Sequence, residues 1–316
     1  MANLKVAVFG CGHFGRYHAQ KYAAHPQADL LAVIDSNIEK GEALAREVGT
    51  RALTDATSVL DQIDAASVVV PTSSHFKVAS LLLDRGISLL VEKPLAADLE
   101  QARALVALAA DKDAILHVGH LERFNPAVRH LNDVIEEPLF IESHRLTAFQ
   151  ERGTDVNVVL DLMIHDIDLI QMFLGGSPLR SIDAVGVPVL STQDDIANAR
   201  LRFECDCVVN VTASRASIKP ERKMRLFQRS SYVSIDFEKH EAIIARRGQG
   251  MPIPGLKGIG MERRQFERAD TLALEIDGFL RAVKGDPAAG GATGRDGLRA
   301  VETAIQITNG LQRPQT

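Results

Sequence analysis

The run Gly10-Cys11-Gly12-His13-Phe14-Gly15 constrains this chain more than any other feature of its sequence. It follows a short apolar run at 4–9 and precedes a helical pattern at 16–24. At this spacing each glycine has a separate physical duty. Gly10 permits a tight turn, Gly12 lets the backbone approach a pyrophosphate, and Gly15 lets the helix pack closely on the strand. The helix start then offers N–H groups and a positive dipole end to phosphates. The next apolar run, 30–34, leads into Asp35, 20 residues after Gly15, where a carboxylate can accept hydrogen bonds from ribose hydroxyls. Strand, glycine turn, helix, second strand and terminal acid together read as a dinucleotide-binding unit. A glycine-rich turn with a surface aspartate is the plainer alternative. His13 and Phe14 lie inside the turn and are expected at the cofactor. Cys11 reads as a small packing residue.

The pattern continues with apolar runs at 67–70, 88–91 and 115–118, separated by helical stretches at 38–48, 76–85 and 98–110. Near-continuous Val/Leu/Ile runs fit parallel strands buried on both faces, and their alternation with helices predicts a parallel α/β sheet. After about residue 120 the pattern changes. A long apolar helix is predicted at 158–174, stopped by Gly175-Gly176 and Pro178. Strands are predicted at 182–190, 197–203, 208–214, 232–237 and 242–245, in a large open and mainly antiparallel sheet. Residues 248–260 hold five glycines and two prolines and read as a loop. Helices at 271–284 and 296–311 close the chain. The expected division is a Rossmann domain at 1–119 and a substrate-binding and oligomerisation domain at 120–316, with the last helix free to pack back on the first.

With 36 Lys and Arg against 41 Asp and Glu, a formal net charge of -5 gives no footprint for nucleic acid. No apolar run is long enough to span a membrane, and the N-terminus lacks a signal-peptide pattern. Three cysteines, Cys11, Cys205 and Cys207, imply no disulfide framework and fit a reducing, cytoplasmic compartment.

Two further features carry chemistry. Glu92-Lys93-Pro94 ends the run at 88–91, and in open α/β sheets the carboxyl ends of strands face the ligand. Lys93 is therefore expected near the nicotinamide end of a cofactor, where it could share a proton with a substrate hydroxyl. An exposed lysine in a strand–loop turn is the alternative. The second feature is the helix at 158–174, which is apolar on most faces yet carries Asp161, His165, Asp166 and Asp168. Asp161 and His165 are four apart and share a face. A carboxylate beside a histidine orients the ring and raises its basicity, as a general acid/base needs. A satisfied core pair explains the same spacing. A metal reading would recruit His117, His120 or Asp168, but no metal-specific spacing appears, and no metal is expected.

The fingerprint, Val70-Pro71-Thr72-Ser73-Ser74-His75, Glu92-Lys93-Pro94 and Asp161-x-x-x-His165, in this order, resemble the Gfo/Idh/MocA oxidoreductases. The resemblance implies a Rossmann domain that binds NAD(P) and a C-terminal domain whose open sheet packs against a partner, in a homodimer or homotetramer. It implies oxidation or reduction at a sugar or cyclitol carbon, with Lys93, Asp161 and His165 as the catalytic trio. Pro71, Thr72, His75, Glu92 and Lys93 would join the fingerprint and Asp35 at the cofactor. Residues 119–126, Gly-His-Leu-Glu-Arg-Phe-Asn-Pro, and 161–168, Asp-Leu-Met-Ile-His-Asp-Ile-Asp, are similar to the nucleotide-sugar branch. That branch holds 3-dehydrogenases of UDP-N-acetylglucosamine and of the corresponding uronic acid, enzymes of lipid A and cell-surface sugar synthesis. It would place Arg123 and Asn125 at the sugar. A helix start, with Asn125 as cap and Pro126 as first residue, explains the same stretch. The expected reaction is NAD-dependent oxidation of the C3 hydroxyl of a UDP-N-acetylhexosamine. A free-sugar or inositol dehydrogenase, and a non-catalytic cofactor-binding protein, are the alternatives.

Residues 215–229 hold six basic side chains, Arg215, Lys219, Arg222, Lys223, Arg225 and Arg229, against one acid, Glu221. Arg215, Lys219 and Arg222 are expected to hold a substrate pyrophosphate, since Arg binds phosphate oxygens through its planar fork. A solvated strand face is the alternative. For the cofactor, the charge of Asp35 repels a 2′-phosphate, and Ser36 and Asn37 supply no cation. Kinetics with both cofactors are expected to favour NAD over NADP, and Asp35→Ala to weaken NAD binding and narrow the gap; equal or better use of NADP overturns the expectation.

Overall fold

The structure is a computed structural model that describes residues 2–131, 134–149, 156–248, 250–253 and 256–312. The chain begins with β1 (Leu4–Phe9), α1 (His13–Ala24), β2 (Ala28–Ile34), α2 (Ile38–Val48), β3 (Arg51–Leu53), β4 (Ala65–Val68), α3 (Thr72–Leu83), β5 (Ser88–Glu92), α4 (Leu99–Asp111) and β6 (Leu116–Gly119). A 3-10 turn at Leu121–Phe124 and the short α5 (Pro126–Arg129) follow. Then come β7 (Pro138–Leu146), a π turn at Val159–Met163 running into α6 (Ile164–Phe173), β8 (Leu179–Val187), β9 (Ile196–Phe203), β10 (Val208–Ser214), β11 (Glu221–Gln228), β12 (Ser231–Asp236), β13 (Glu241–Arg247), β14 (Met251–Ile253) and β15 (Leu256–Gln265). The chain ends with α7 (Thr271–Val283), β16 (Ala292–Thr293), α8 (Gly294–Gly310) and β17 (Leu311–Gln312).

These elements form two units, Met1–Phe124 with Asp270–Val301, and Asn125–Ala269 with Glu302–Thr316. The first boundary thus falls after Phe124 rather than after 119, and residues 270–301 return to the first unit. Burial gives the reason. Ile276, Phe279 and Leu280 of α7 join Ala19 and Tyr22 of α1, Val6 and Val8 of β1, and Leu90 of β5 in one apolar cluster. An amphipathic helix settles where its apolar stripe is covered.

The first unit is a Rossmann fold. Its strands run in the order β16-β6-β5-β4-β1-β2-β3. β1 pairs in parallel with both β2 and β4, so the chain reverses its direction of winding at β1. Ligands bind at such a switch point, outside the carboxyl ends of the strands. Val6, Val8, Leu89, Leu90 and Val91 are fully buried, as strands covered on both faces require. Side chains cap the helices as their sequences direct: Asn37 accepts from the Lys40 amide, and Asp98 from that of Gln101.

The second unit carries a ten-stranded sheet in the order β14-β15-β13-β12-β11-β7-β10-β9-β8-β17. Every pairing is antiparallel except β10 with β7 and β17 with β8. One face, with Ile141, Val209, Val211, Leu201, Met224, Leu226 and Val233, is buried. The other, with Phe140, Glu142, Asn210, Lys223, Arg225 and Tyr232, is half-exposed.

Two sequence expectations are corrected here. Residues 248–260 form β14 and the first half of β15 instead of a loop, with Gln249, Pro254 and Gly255 outside the described residues. Gly248, Gly250 and Gly258 adopt φ of 70°, 89° and 75°. At Gly250 a Cβ would meet the Met261 backbone at 2.8 Å. Those glycines serve a bend and a close backbone approach within a strand pair. β7 was not anticipated, and β11 falls in the stretch read first as a substrate handle, with a strand face as the alternative; charged residues alternate with apolar ones on both.

Arg145 of β7 points into the buried face and grips Asp166 of α6 with two bonds, Nε to Oδ2 at 2.7 Å and Nη2 to Oδ1 at 3.2 Å. Both are almost fully buried. Arg145→Ala leaves a buried carboxylate without this partner and is expected to cost about 3–5 kcal/mol in denaturant unfolding, whereas the apolar double variant Arg145→Met/Asp166→Leu is expected to cost far less.

Candidate functional site

The site residues of the first unit start at the end of β1. Gly10 adopts φ 101°, and a Cβ there would lie 2.3 Å from the Val69 carbonyl oxygen. A Cβ on Gly15 would lie 1.8 Å from the Gly10 oxygen. On Gly12 it would meet nothing within 4 Å. Two glycines are thus demanded by packing, and the third leaves an open approach to the backbone. Gly12 is also the N-cap of α1 and brings no side chain to cap the first turn, so a ligand's phosphates can take that place. Asp35 accepts the Cys11 amide at 2.7 Å on one oxygen and the Asn37 amide at 2.8 Å on the other. It therefore shapes the fingerprint loop as well as offering its remaining lone pairs to a ribose. These residues fit a dinucleotide. His13 packs edge-on against Phe14 and Tyr17, with ring centroids at 5.6 and 5.0 Å.

Lys93 follows the last residue of β5 and is half-buried. The Lys93–Pro94 peptide bond is cis. Pro71 is the N-cap of α3 and Thr72 its first residue, just beyond the carboxyl end of β4. His75 is different. It is buried, with Nδ1 2.8 Å from the Pro94 carbonyl and Nε2 2.9 Å from the Val70 carbonyl. Its ring staples the turn after β4 to the turn after β5, which corrects the expectation of a cofactor contact. Burial lowers its pKa against the pull of these carbonyls and of Glu92. Glu92 receives the Lys93 amide at 3.2 Å and contacts His18 at 3.2 Å. Burial pushes its pKa up, but the hydrogen bond and charge of His18, with Lys93, hold it below the usual carboxylate range. A cavity of about 320 Å³ lies here, lined by Phe14, Tyr17, Lys21, Glu92, Leu121, Asp270 and Leu272. Lys21 and Asp270 pair across 2.5 Å.

Arg123 and Asn125 are committed to internal contacts. Arg123 lies 3.4 Å from Asp296 and donates to the Gly291 carbonyl at 3.4 Å. Asn125 is buried and caps α5 by accepting the Ala127 amide at 3.0 Å. The stretch is the helix start that its Asn-Pro sequence allows. Burial pushes His117 down to about 4 against the pull of Asp296. Among the described residues no group of three His, Cys, Asp or Glu is placed to hold a metal.

In the second unit Asp161 lies in the π turn and His165 in the first turn of α6, both half-buried. The wider turn is invisible to a periodicity argument, and such turns are frequent at functional sites. Asn157 sets it up. Its side chain accepts the Leu160 amide at 3.1 Å, and its carbonyl accepts the Asp161 amide at 3.1 Å. The Arg145–Asp166 grip falls one residue beyond His165.

The basic stretch does not form one handle. Arg215 is buried and bonded to Asp195 at 2.8 Å and to the Val156 carbonyl at 3.0 Å. Asp195 also accepts the amides of Val189, Leu190 and Ser191. Burial opposes its charge, yet the Ser191 hydroxyl, these amides and Arg215 hold its pKa far below the usual range. The expectation that Arg215 grips a pyrophosphate is thereby corrected: its charge is spent inside the fold. Residues 221–228 form β11 in the interior of the sheet, where Arg225 pairs with Glu142 at 2.7 Å and Lys223 with Glu221 at 3.7 Å. Lys219 and Arg222 are exposed, Lys219 before the strand and Arg222 near its start. A buried chain of Tyr22, Ser67 and His18 behind Glu92 escaped the sequence reading. Its signal was there: His18 and Tyr22 are four apart on α1, and Ser67 interrupts an apolar strand.

Residues 4–120 match the model of an oxidoreductase family with an NAD-binding Rossmann fold, and residues 132–230 match a GFO/IDH/MocA C-terminal domain. UDP-N-acetylglucosamine 3-dehydrogenase of Acidithiobacillus ferrooxidans is 38% identical over 284 residues, 90% of each chain. A solved structure of that enzyme superposes with a TM-score of 0.92 at 36% identity, over 98% of each chain. An inositol 2-dehydrogenase of Rhizobium meliloti is 25% identical over 95% of this chain and 94% of its own. A levoglucosan dehydrogenase solved with NADH shares the fold, with a TM-score of 0.84 at 19% identity over 98% of this chain and 96% of its own.

The three glycines make separable demands. Gly12→Ala is expected to keep thermal stability within about 0.5 kcal/mol of the parent, as an unobstructed surface change does, while raising the dissociation constant for NAD in calorimetry about tenfold or more. Gly15→Ala is expected to lose stability and NAD binding together.

Proposed function

The chain belongs to the Gfo/Idh/MocA oxidoreductases, and within that family we propose that it oxidises the C3 hydroxyl of a UDP-N-acetylhexosamine of the UDP-N-acetylglucosamine type, using NAD, to a 3-keto sugar. The observation that carries this reading is the end-to-end likeness to a UDP-N-acetylglucosamine 3-dehydrogenase, 38% identical over 90% of both chains.

Gly10, Gly12, Gly15 and Asp35 would hold the cofactor, whose nicotinamide supplies the hydride acceptor when bound. His165 takes the proton of the C3 hydroxyl. Asp161 orients the His165 ring and stabilises its charge. Lys93 stabilises the developing oxyanion or relays the proton. The Arg145–Asp166 grip and the Asn157 cap fix the segment that carries Asp161 and His165, so the ring is oriented before substrate arrives. A 3-keto sugar is a natural substrate for an aminotransferase, and we place the reaction in cytoplasmic synthesis of lipid A or a related cell-surface sugar. No helix among the described residues is long and apolar enough to cross a membrane. The half-exposed sheet face, with Phe140, Phe227 and Tyr232 clustered at centroid distances of 5.6 and 5.1 Å, supports assembly as a homodimer or homotetramer.

The test is turnover with NAD across UDP-sugars, free sugars and inositols. UDP-N-acetylglucosamine is expected to react, free N-acetylglucosamine and myo-inositol to react poorly, and UDP alone to compete. Lys93→Met and His165→Asn are each expected to lower turnover by about two orders of magnitude while retaining cofactor binding. Near-normal turnover of His165→Asn transfers the base role to Lys93. Equal reaction of the free sugar replaces the nucleotide-sugar assignment with a free-sugar dehydrogenase.

A further inference from the structure

We propose that Glu92 sets the charge of the cofactor site: a buried hydrogen-bond chain from Tyr22 through Ser67 and His18 holds its carboxylate at the cavity beside α1, where it favours the oxidised, cationic nicotinamide over the reduced, neutral one. The proposal rests on NAD binding by the first unit and is independent of which sugar is oxidised.

The chain has one internally consistent set of protons. Tyr22, Ser67 and His18 are fully buried. Tyr22 Oη lies 2.9 Å from Ser67 Oγ, Ser67 Oγ lies 3.0 Å from His18 Nδ1, and His18 Nε2 lies 3.2 Å from Glu92 Oε1. A carboxylate only accepts, so Nε2 carries the proton. In a neutral ring Nδ1 then accepts from the Ser67 hydroxyl, and Ser67 accepts from the Tyr22 hydroxyl. Every group in the chain is satisfied. A cationic ring would donate to Ser67 as well, leaving one hydroxyl proton of Ser67 or Tyr22 with no acceptor among the described residues. Burial keeps the Tyr22 phenol protonated, raising its pKa despite the Ser67 bond. The chain therefore ends on a charged carboxylate that accepts from His18 Nε2. The second oxygen, Oε2, accepts the Lys93 amide and fixes the carboxylate's orientation.

Three cavity-lining residues come from where a Rossmann fold meets its ligand. Phe14 lies in the fingerprint, Glu92 ends β5, and Leu121 follows β6. Lys21 and Asp270, also on the lining, pair with each other. The oxidised and reduced cofactors share the adenosine, pyrophosphate and ribose parts and differ in the charge of the nicotinamide ring. A fixed carboxylate in a partly desolvated cavity acts on that difference. It biases the free enzyme toward the form of the cofactor that oxidises a sugar.

Calorimetric titration of the full chain with NAD, NADH and ADP-ribose tests this. Glu92→Gln is expected to weaken NAD about five- to tenfold, leave NADH within about twofold, and leave ADP-ribose unchanged. Glu92→Asp, which keeps the charge, is expected to restore most of the preference. Equal weakening of NAD and NADH, or no change in either, overturns the proposal. Should Glu92→Gln fail to bind ADP-ribose as the parent does, Ser67→Ala takes its place. It removes the hydroxyl that sets the His18 tautomer and is expected to lower the NAD-to-NADH preference about two- to threefold; an unchanged preference there overturns the proposal too. UDP-sugar turnover by the unsubstituted enzyme is a separate measurement, so failure of the charge proposal leaves the substrate reading standing.

Discussion

The first unit depends on how closely α1 approaches the turn after β1. The Gly10 carbonyl oxygen occupies the space where any side chain on Gly15 would begin. That contact sets more than the phosphate end of the site. One turn beyond Gly15, His18 reaches Ser67 of β4 and Glu92 of β5, and a further turn on, Tyr22 reaches the same serine. α7 covers the same region with Ile276, Phe279 and Leu280. A residue at 15 large enough to lift the helix would spoil the phosphate cradle and the buried chain together. Cofactor binding and the geometry around Lys93 therefore share one structural cause.

The second unit uses buried ion pairs where apolar packing would give equal or greater stability. What they add is direction. Arg145 holds Asp166 through two bonds of a planar fork, which admits one rotation of α6 about its axis. Asp166 follows His165, so that rotation sets where the imidazole points. Arg215 and Asp195 act alike on the turn between β8 and β9. Asp195 collects three successive amides and the Ser191 hydroxyl, and Arg215 balances its charge while reaching the Val156 carbonyl. The Val158 amide, which bonds the Asp194 carbonyl, ties the entry of the π turn to the same place.

The first unit was legible in sequence because its signals are local. Glycine spacing, apolar runs of strand length and helices with their own caps need no partner to be read. β1, α2 and β10 lie at the expected bounds. The second unit was harder, because its half-exposed sheet face mixes charge with apolar residues. In β11, Glu221, Lys223 and Arg225 alternate with Met224 and Leu226, a strand pattern hidden beneath a count of basic residues. The same count hid the fate of Arg215, whose partner Asp195 is 20 residues away in sequence. The catalytic candidates Lys93, Asp161 and His165 were visible by type and position. Arg145 was not, since it acts on Asp166, 21 residues away, through a contact that only the fold creates.

Two histidines near Glu92-Lys93-Pro94 show how partners decide protonation. His18 lies between a hydroxyl and a carboxylate. A hydroxyl can donate or accept, so one ring proton satisfies both neighbours. His75 lies between two carbonyls, which only accept. A neutral ring can bond one of them and must turn a lone pair toward the other; a cationic ring would bond both. Burial opposes the cation and lowers the pKa. The arrangement at His75 therefore has less to gain from a single proton than that at His18. One histidine donates to the Glu92 carboxylate, whose charged form Lys93 also favours, and the other staples the adjoining turn. That asymmetry places the firmer of the two supports behind the carboxylate at the cavity.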